Sequence, residues 1–241
     1  LPDEAYGDNW IGRNALELIR AVPKGEPWFI QINFNGPHNP MDITKSMYER
    51  WKDAKFPPAV EGDGTDDTAK KRRNYGAMIY NIDQWLGTLL DEVAKRGELD
   101  NTIVVYCSDH GDMLGDHQQW AKTRPRHPSA AVPLVIAGPG VSGGRTCTEA
   151  AETLDLTATL LDFAGAARPA DMDSLSLRPY LSGAGKLPRQ IARSSLGGWT
   201  LVFDGRYKLI SGGASALGSG KGGKKKAAEG KADLALFDLK T

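Results

Sequence analysis

A continuous run of apolar and β-branched residues, Thr102-Ile103-Val104-Val105-Tyr106-Cys107, constrains the fold more than any other segment of this chain. Such a run is typical of a strand buried on both faces, as found in parallel sheets that are covered by helices. It predicts a buried position for Cys107, the last residue of the run. Shorter apolar runs at 28–34 and 132–137 predict two further strands.

Helical patterns alternate with these strands. Apolar residues recur at steps of three and four over 9–22 and again over 68–96, where Gly97 follows as a stop. A third helix is predicted over 153–164. This alternation predicts an α/β domain over 1–185, with a mostly parallel sheet flanked by helices.

Beyond the helical region the pattern changes to short strands, predicted at 201–203, 207–210 and 234–237. Asp204-Gly205 stands between the first two and is a strong signal for a two-residue hairpin turn. We therefore expect a small antiparallel subdomain over 186–241, with the last two strands paired.

The tract 211–233 is rich in Gly, Ser, Ala and Lys and contains little that could be buried. It predicts a flexible surface loop between two strands. The alternative is a basic arm that contacts an anionic polymer.

Composition adds few constraints on partners. The chain has 30 Lys plus Arg and 30 Asp plus Glu, so its formal net charge is zero and gives no indication of nucleic acid or of an anionic membrane. No apolar run approaches the roughly 20 residues that span a bilayer. The two cysteines, Cys107 and Cys147, are too few for a disulfide scaffold or a cysteine metal cluster.

The densest group of polar residues, Ser108 to His117, directly follows the strand predicted at 102–107. In open α/β sheets, ligands bind at the carboxyl ends of strands. Asp109 and His110 are adjacent, so a carboxylate oxygen and an imidazole nitrogen could reach one divalent cation. The alternative is that Asp109 caps a turn and His110 is packed.

Two further loops carry candidate residues. His38 lies between two prolines in the stiff segment 35–40, where an imidazole could donate a hydrogen bond or a proton to an anionic substrate. Lys122 carries a compact charge suited to a sulfate or phosphate oxygen. A structural histidine and a solvated lysine are the alternatives. We expect both side chains to face the same cleft as Asp109.

Together, these loops resemble the sulfatase family within the alkaline phosphatase-like superfamily. The resemblance rests on the strings PWFIQINFNGPHNP, YGAMIYNIDQWLGTLLDEVAKRGELDNTIVVYCSDHGDMLGDH, VPLVIAGPGV, DGRYKLI and LFDL. It implies metal-dependent hydrolysis of sulfate esters of small molecules or glycans. It further implies that Asp109 and His110 complete a site for a divalent cation, calcium above all. His38 and Lys122 match the positions that contact the sulfate group or the leaving oxygen, with Asn39 as a further substrate contact.

The resemblance also implies a formylglycine nucleophile, made from Cys or Ser in a Cys-x-Pro-x-Arg motif, and two further acidic metal ligands. Neither Cys107 nor Cys147 lies in such a motif, and the sequence opens without Met. We therefore expect this chain to be the C-terminal portion of the enzyme, with the nucleophile upstream and no activity of its own. The family also implies a periplasmic or secreted location.

Two alternatives for function stay open. Sulfate and phosphate are nearly isosteric, so the same core could hydrolyse a phosphodiester or a phosphonate monoester. The chain could also be a non-catalytic relative that binds anions or glycans. The stretch 123–129 departs from the Tyr- and Glu-rich stretch that many relatives have. His127, within it, is either a substrate contact or a surface histidine.

Overall fold

The structure, a computed structural model, describes residues 1–212 and 234–240. The chain divides into two compact units, Leu1–Thr102 and Ile103–Thr241. Except for its first two residues, the tract predicted as a flexible loop, 211–233, lies outside the described residues. Among the described residues, no helix combines the length and the apolar character that crossing a membrane requires.

The first unit contains three α-helices: Gly7–Ala21 (α1), Lys45–Trp51 (α2) and Asp66–Lys95 (α3). Short 3-10 turns occupy Asp3–Ala5 and Leu99–Asn101. The long helix α3 begins after Thr65, whose Oγ1 accepts a hydrogen bond from the Thr68 N–H at 3.2 Å. It ends before Gly97, which has the positive φ of 75° that suits glycine. The helices predicted at 9–22 and 68–96 are confirmed.

The core of the first unit lies between α1 and α3. Ala15 and Ile19 of α1 pack with Leu89 and Val93 of α3, and all four are buried. The segment 28–34 covers this cluster with its even-numbered side chains, whereas Phe29 and the other odd-numbered ones are exposed. This alternation is typical of an extended chain with one buried face. The segment forms no strand ladder within the described residues, so a strand buried on both faces is not observed.

In the second unit, Val104–Cys107 (β1) pairs antiparallel with Leu134–Ala137 (β2). Both strands lie where the sequence predicts them, but the mostly parallel sheet is not confirmed, because every strand pair in the described residues is antiparallel. The predicted burial of Cys107 is wrong: the residue is exposed. It stands at the end of a ladder that has two strands in the described part of the chain.

Three helices follow in the same unit: His127–Ala130 (α4), Asp155–Phe163 (α5) and Arg178–Leu181 (α6). A 3-10 turn occupies Asp116–Gln118. The helix predicted at 153–164 is confirmed as α5.

The last four strands form one antiparallel sheet in chain order: Ala192–Leu196 (β3), Trp199–Phe203 (β4), Tyr207–Ser211 (β5) and Leu234–Asp238 (β6). The predicted pairing of the last two strands is confirmed. On one face of the sheet, Trp199, Leu201 and Ile210 form a buried cluster against Ala130 of α4. The boundary predicted between 185 and 186 stays a prediction.

Candidate active site

The residues that follow β1 bring together two side chains of types that commonly bind metal ions, Asp109 and His110, which we call the metal-type pair. His110 Nε2 lies 3.7 Å from Asp109 Oδ2. The Asp109 side chain is 88% exposed and that of His110 is 31% exposed. Asp109 Oδ1 accepts the backbone N–H of His110 at 2.9 Å, which holds the carboxylate beside the ring. One cation could contact both groups at this separation.

The imidazole of His110 is oriented by its own backbone. Its Nδ1 lies 2.8 Å from the carbonyl oxygen of Gly111. A carbonyl oxygen only accepts, so we assign the proton of the neutral ring to Nδ1. Nε2, the nitrogen next to Asp109, then carries the lone pair that a metal ion requires.

The loop between this pair and Lys122 is closed by Asp112. Its Oδ1 accepts the backbone N–H of Leu114 at 2.9 Å and that of Ala121 at 3.1 Å. The Met113 N–H also donates to the Ala121 carbonyl at 2.9 Å, and Met113 is fully buried. The residue that precedes Lys122 is therefore held at both its N–H and its carbonyl.

The loop after β1 also packs closely on the segment that leads into α4. The Gly111 N–H donates to the Ser129 carbonyl at 3.0 Å. A Cβ at Gly111 would collide with the backbone carbonyl of Pro128, so glycine is required by space at this position. The Trp199 indole N–H of β4 donates to the Thr123 carbonyl at 3.1 Å and secures the other end of the segment.

In the first unit, the loop that carries His38 is anchored by Asp8 of α1. The Asp8 carboxylate is 2% exposed and accepts the N–H groups of Asn35, at 2.7 Å, and Gly36, at 3.1 Å. A side chain at Gly36 would collide with this carboxylate. The peptide bonds before Pro37 and Pro40 are cis.

His38 and Asn39 are both exposed on this loop. His38 Nδ1 lies 2.7 Å from the carbonyl oxygen of Asn39, so we assign a proton to Nδ1. The expectation that His38 and Lys122 face one cleft with Asp109 stays a prediction. Among the described residues, no group of three or more His, Cys, Asp or Glu forms a metal cluster.

Asp8 and Asp112 have supporting roles that the sequence did not indicate. Each supports a loop that carries a candidate residue through hydrogen bonds to backbone N–H groups. The bond from Asp112 to Leu114 spans two residues and could be anticipated as an Asx turn. The bonds from Asp8, 27 and 28 residues away along the chain, have no comparable local signal.

Comparison with known proteins is consistent with this arrangement. The Sulfatase family model matches residues 4–166. The chain is 31% identical over 204 residues to an arylsulfatase of Clostridium perfringens, covering 74% of this chain and 42% of that protein. It is 31% identical over 216 residues to a choline-sulfatase of Rhizobium meliloti, covering 76% and 42%. The chain thus spans about two fifths of the length of these curated relatives.

Two solved structures share the fold. One, described in complex with its substrate D-glucosamine-2-N,6-O-disulfate, has a TM-score of 0.81 at 20% identity and covers 98% of this chain and 63% of its own. The other, a phosphonate monoester hydrolase from Silicibacter pomeroyi, has a TM-score of 0.82 at 21% identity and covers 100% and 55%. Together with the match to the family model over more than half of its length, these likenesses establish that the chain belongs to the sulfatase family, with an alkaline phosphatase-like fold.

Proposed function

We propose that the intact protein hydrolyses sulfate esters with the help of a divalent cation that Asp109 and His110 hold in part. One observation carries this proposal: the carboxylate and the imidazole lie 3.7 Å apart, directly after β1, in a chain of the sulfatase family. The Gly111 carbonyl fixes the tautomer that places the lone pair beside the carboxylate. The pair therefore has the chemistry of two metal ligands.

Calcium is the cation we propose, with Asp109 supplying oxygen and His110 supplying nitrogen. Calcium takes about six to eight ligands, mostly oxygens, so a pair of side chains completes a site rather than forming one. When bound, a divalent cation stabilises negative charge on the transferring group as a Lewis acid. The parallel strands expected for this fold, and the remaining ligands of the calcium ion, would come from sequence outside these 241 residues.

The chain's own residues would supply the remaining electrostatic help. The Lys122 ammonium, on a loop held by Asp112, would bind a sulfate oxygen and stabilise charge that develops there. His38 keeps Nδ1 on the Asn39 carbonyl, so a protonated ring would donate from Nε2 to the leaving oxygen. The Asn39 side chain would add a polar substrate contact.

We propose that the nucleophile, a formylglycine, lies outside this chain. Both Cys107 and Cys147 are exposed, but neither has the sequence context of a precursor motif. The 241-residue chain alone is then expected to give no multiple turnover of an aryl sulfate or an aryl phosphate. A periplasmic or secreted location is part of the same proposal.

A phosphonate monoesterase is the second candidate, favoured by the TM-score of 0.82 to such an enzyme. Sulfate and phosphonate esters both place a tetrahedral anion between a cation and a lysine. The deciding measurement is kcat/KM of the intact protein for a phenyl sulfate, a phenyl phosphate and a phenyl phosphonate. A preference for the sulfate ester supports the proposal, and a preference for the phosphonate supports the second candidate.

The metal assignment has its own test. In the intact protein, Asp109→Ala and His110→Ala should each weaken calcium binding, measured by calorimetry after chelation, and lower kcat with it. Asp171→Ala removes an exposed carboxylate in the same unit and serves as the matched control. Calcium affinity equal to wild type in both site variants would contradict the assignment. Calcium binding without turnover of any ester would favour a non-catalytic anion-binding relative.

A further inference from the structure

A lysine is buried in the small antiparallel sheet, and no residue that the structure describes pairs with it as an opposite charge. Lys208 of β5 is 5% exposed. It stands opposite Phe203 of β4 and Phe237 of β6, so it shares a sheet face with aromatic residues. Among the described residues, the ammonium forms no hydrogen bond or ion pair. Burying most of a lysine side chain with no opposite charge beside it is costly, so its presence calls for an explanation.

The charged group that acts on Lys208 is itself a cation, Arg126, and Lys208 in turn disfavours the protonated form of His127. Burial, and then the Arg126 guanidinium, lower the pKa of Lys208 to about 8. Desolvation, and then the Lys208 ammonium, lower the pKa of His127. No carboxylate of the described residues contributes to either shift. Arg126 and His127 lie at the start of α4, which packs on the same sheet face through Ala130.

A further cation precedes this cluster. The Nε of Arg124 is buried and has no hydrogen-bond partner among the described residues. Its backbone N–H donates to Ser129 Oγ at 3.2 Å, so Arg124 belongs to the same folded segment as Arg126 and His127. Lys208, Arg124 and Arg126 thus bring positive charge to one folded segment, and the buried Arg124 Nε still has a hydrogen bond to donate, an arrangement that suits an anion.

The location of the cluster suggests which anion. The segment that carries Arg126 and His127 is bonded to the loop of the metal-type pair, through the Gly111 N–H and the Ser129 carbonyl. It also begins directly after Lys122. An anion bound there would lie beside the proposed sulfate-ester site within the same unit, as a second charged group on the substrate would.

We propose that Lys208, Arg126 and His127 form a subsite for a second anionic group, sulfate or carboxylate, on the substrate. The inference rests on the proposed function, since it assigns the subsite to the same substrate. The substrate class is then a doubly anionic sulfate ester, and the cluster contributes to selectivity rather than to the bond that breaks. Lys208→Met removes the charge but keeps a long side chain, and Lys186→Met is the control at an exposed lysine.

Binding is tested first, without catalysis. The melting temperature of the intact protein is measured in sodium sulfate and in sodium chloride of equal ionic strength. Lys122→Ala removes the proposed sulfate contact of the ester site, so the shift that persists in Lys122→Ala reports the subsite. We expect that shift to disappear in a Lys122→Ala, Lys208→Met double variant and to persist when Lys186→Met replaces the second change. A persistent shift in the Lys208→Met double variant overturns the subsite.

Selectivity is tested second, with a carboxylate-bearing aryl sulfate and its methyl ester, which keeps the sulfate but lacks the charge of the carboxylate. The ratio of kcat/KM between the two should fall about tenfold to a hundredfold in Lys208→Met and stay at the wild-type value in Lys186→Met. An unchanged ratio overturns the assignment to the substrate even where sulfate binding is lost. Absence of any turnover in wild type would instead contradict the proposed function, while the thermal measurement would still decide whether the cluster binds an anion.

Discussion

The guanidinium of Arg189 donates two hydrogen bonds to the fully buried carboxylate of Asp155, from Nη2 to Oδ1 at 2.6 Å and from Nε to Oδ2 at 2.9 Å. Oδ1 also accepts the Leu175 N–H at 2.9 Å, and Oδ2 accepts the Glu152 N–H at 3.3 Å. Asp155 begins α5, so this pair joins the helix to the chain that enters the small sheet. Every described contact of the carboxylate is with a donor, which makes Arg189 the charge that compensates it.

Removing that charge should strongly destabilise the second unit. Arg189→Met leaves the Asp155 carboxylate buried without a cation, and we expect the free energy of unfolding to fall by about 3 kcal/mol in urea titrations. Arg178→Met removes a partner from the solvent-exposed pair with Asp162, and should cost no more than about 1 kcal/mol. Equal losses in the two variants would show that burial of the pair has no energetic weight.

The pair of Asp155 and Arg189 also affects the pH at which acid unfolds the protein. Burial alone raises the pKa of Asp155, but Arg189 and the Leu175 and Glu152 N–H groups hold that pKa below its ordinary value. The stabilisation is therefore present above the unfolded-state pKa, near 3.8, and is lost as pH falls through the lower folded value. In Arg189→Met, the acid unfolding midpoint followed by fluorescence should move to higher pH. A midpoint equal to wild type would contradict this assignment.

Lys208 should also make the stability of the fold rise with pH, but in the alkaline range. Its folded pKa of about 8 lies below the ordinary 10.5, so the ammonium opposes folding below pH 8 and this effect fades between pH 8 and 10.5. Without a bound anion, Lys208→Met should be more stable than wild type at pH 7, by about 3 kcal/mol at most. Urea midpoints should converge by pH 10.5. A difference that does not depend on pH would mean that the ammonium is compensated.

Asp112 should control the mobility of the loop before Lys122. Asp112→Ala removes the acceptor of two backbone N–H groups, whereas Asp112→Asn retains an acceptor oxygen. We expect trypsin to cut after Lys122 faster in the alanine variant than in the asparagine variant. Asp171→Ala, at an exposed carboxylate, should leave the rate unchanged. Identical cleavage rates in all three would show that Asp112 does not close this loop.

Asp8 should have the same role for the loop of His38. Asp8→Ala leaves the Asn35 and Gly36 N–H groups without their acceptor, so their hydrogen exchange should accelerate by about tenfold or more. Asp83→Ala removes an exposed carboxylate from α3 and is the matched control. Protection of both amides in Asp8→Ala equal to wild type would rule out this anchoring role.

The helices and most strands could be predicted from the sequence because their signals are local. The apolar stripe of α3 repeats every three or four residues, and the turn between β4 and β5 is signalled by the adjacent Asp204 and Gly205. The direction of the strands could not, because a continuous apolar run predicts burial and carries no information about which neighbour pairs with it. The exposure of Cys107 has the same origin, since burial depends on what packs over the strand.

The candidate site, like the fold, could be predicted from the sequence only where its signals are local. Asp109 and His110 are adjacent in sequence and follow a strand, so their proximity needed no tertiary information. The support from Asp8 depends on the fold that brings α1 to the loop. The burial of Lys208 has a local signal, because in the alternation of β5 it shares the buried face with Ile210.

The close approach of Gly111 to the Pro128 carbonyl has a consequence for engineering this family. The loop of the metal-type pair and the chain that enters α4 fit together without space for one additional carbon atom, so neither can be exchanged alone. A graft that moves the ligand pair into another scaffold would have to bring residues 126–131 with it. A homologue with a larger residue at position 111 should carry a compensating shift in that partner segment.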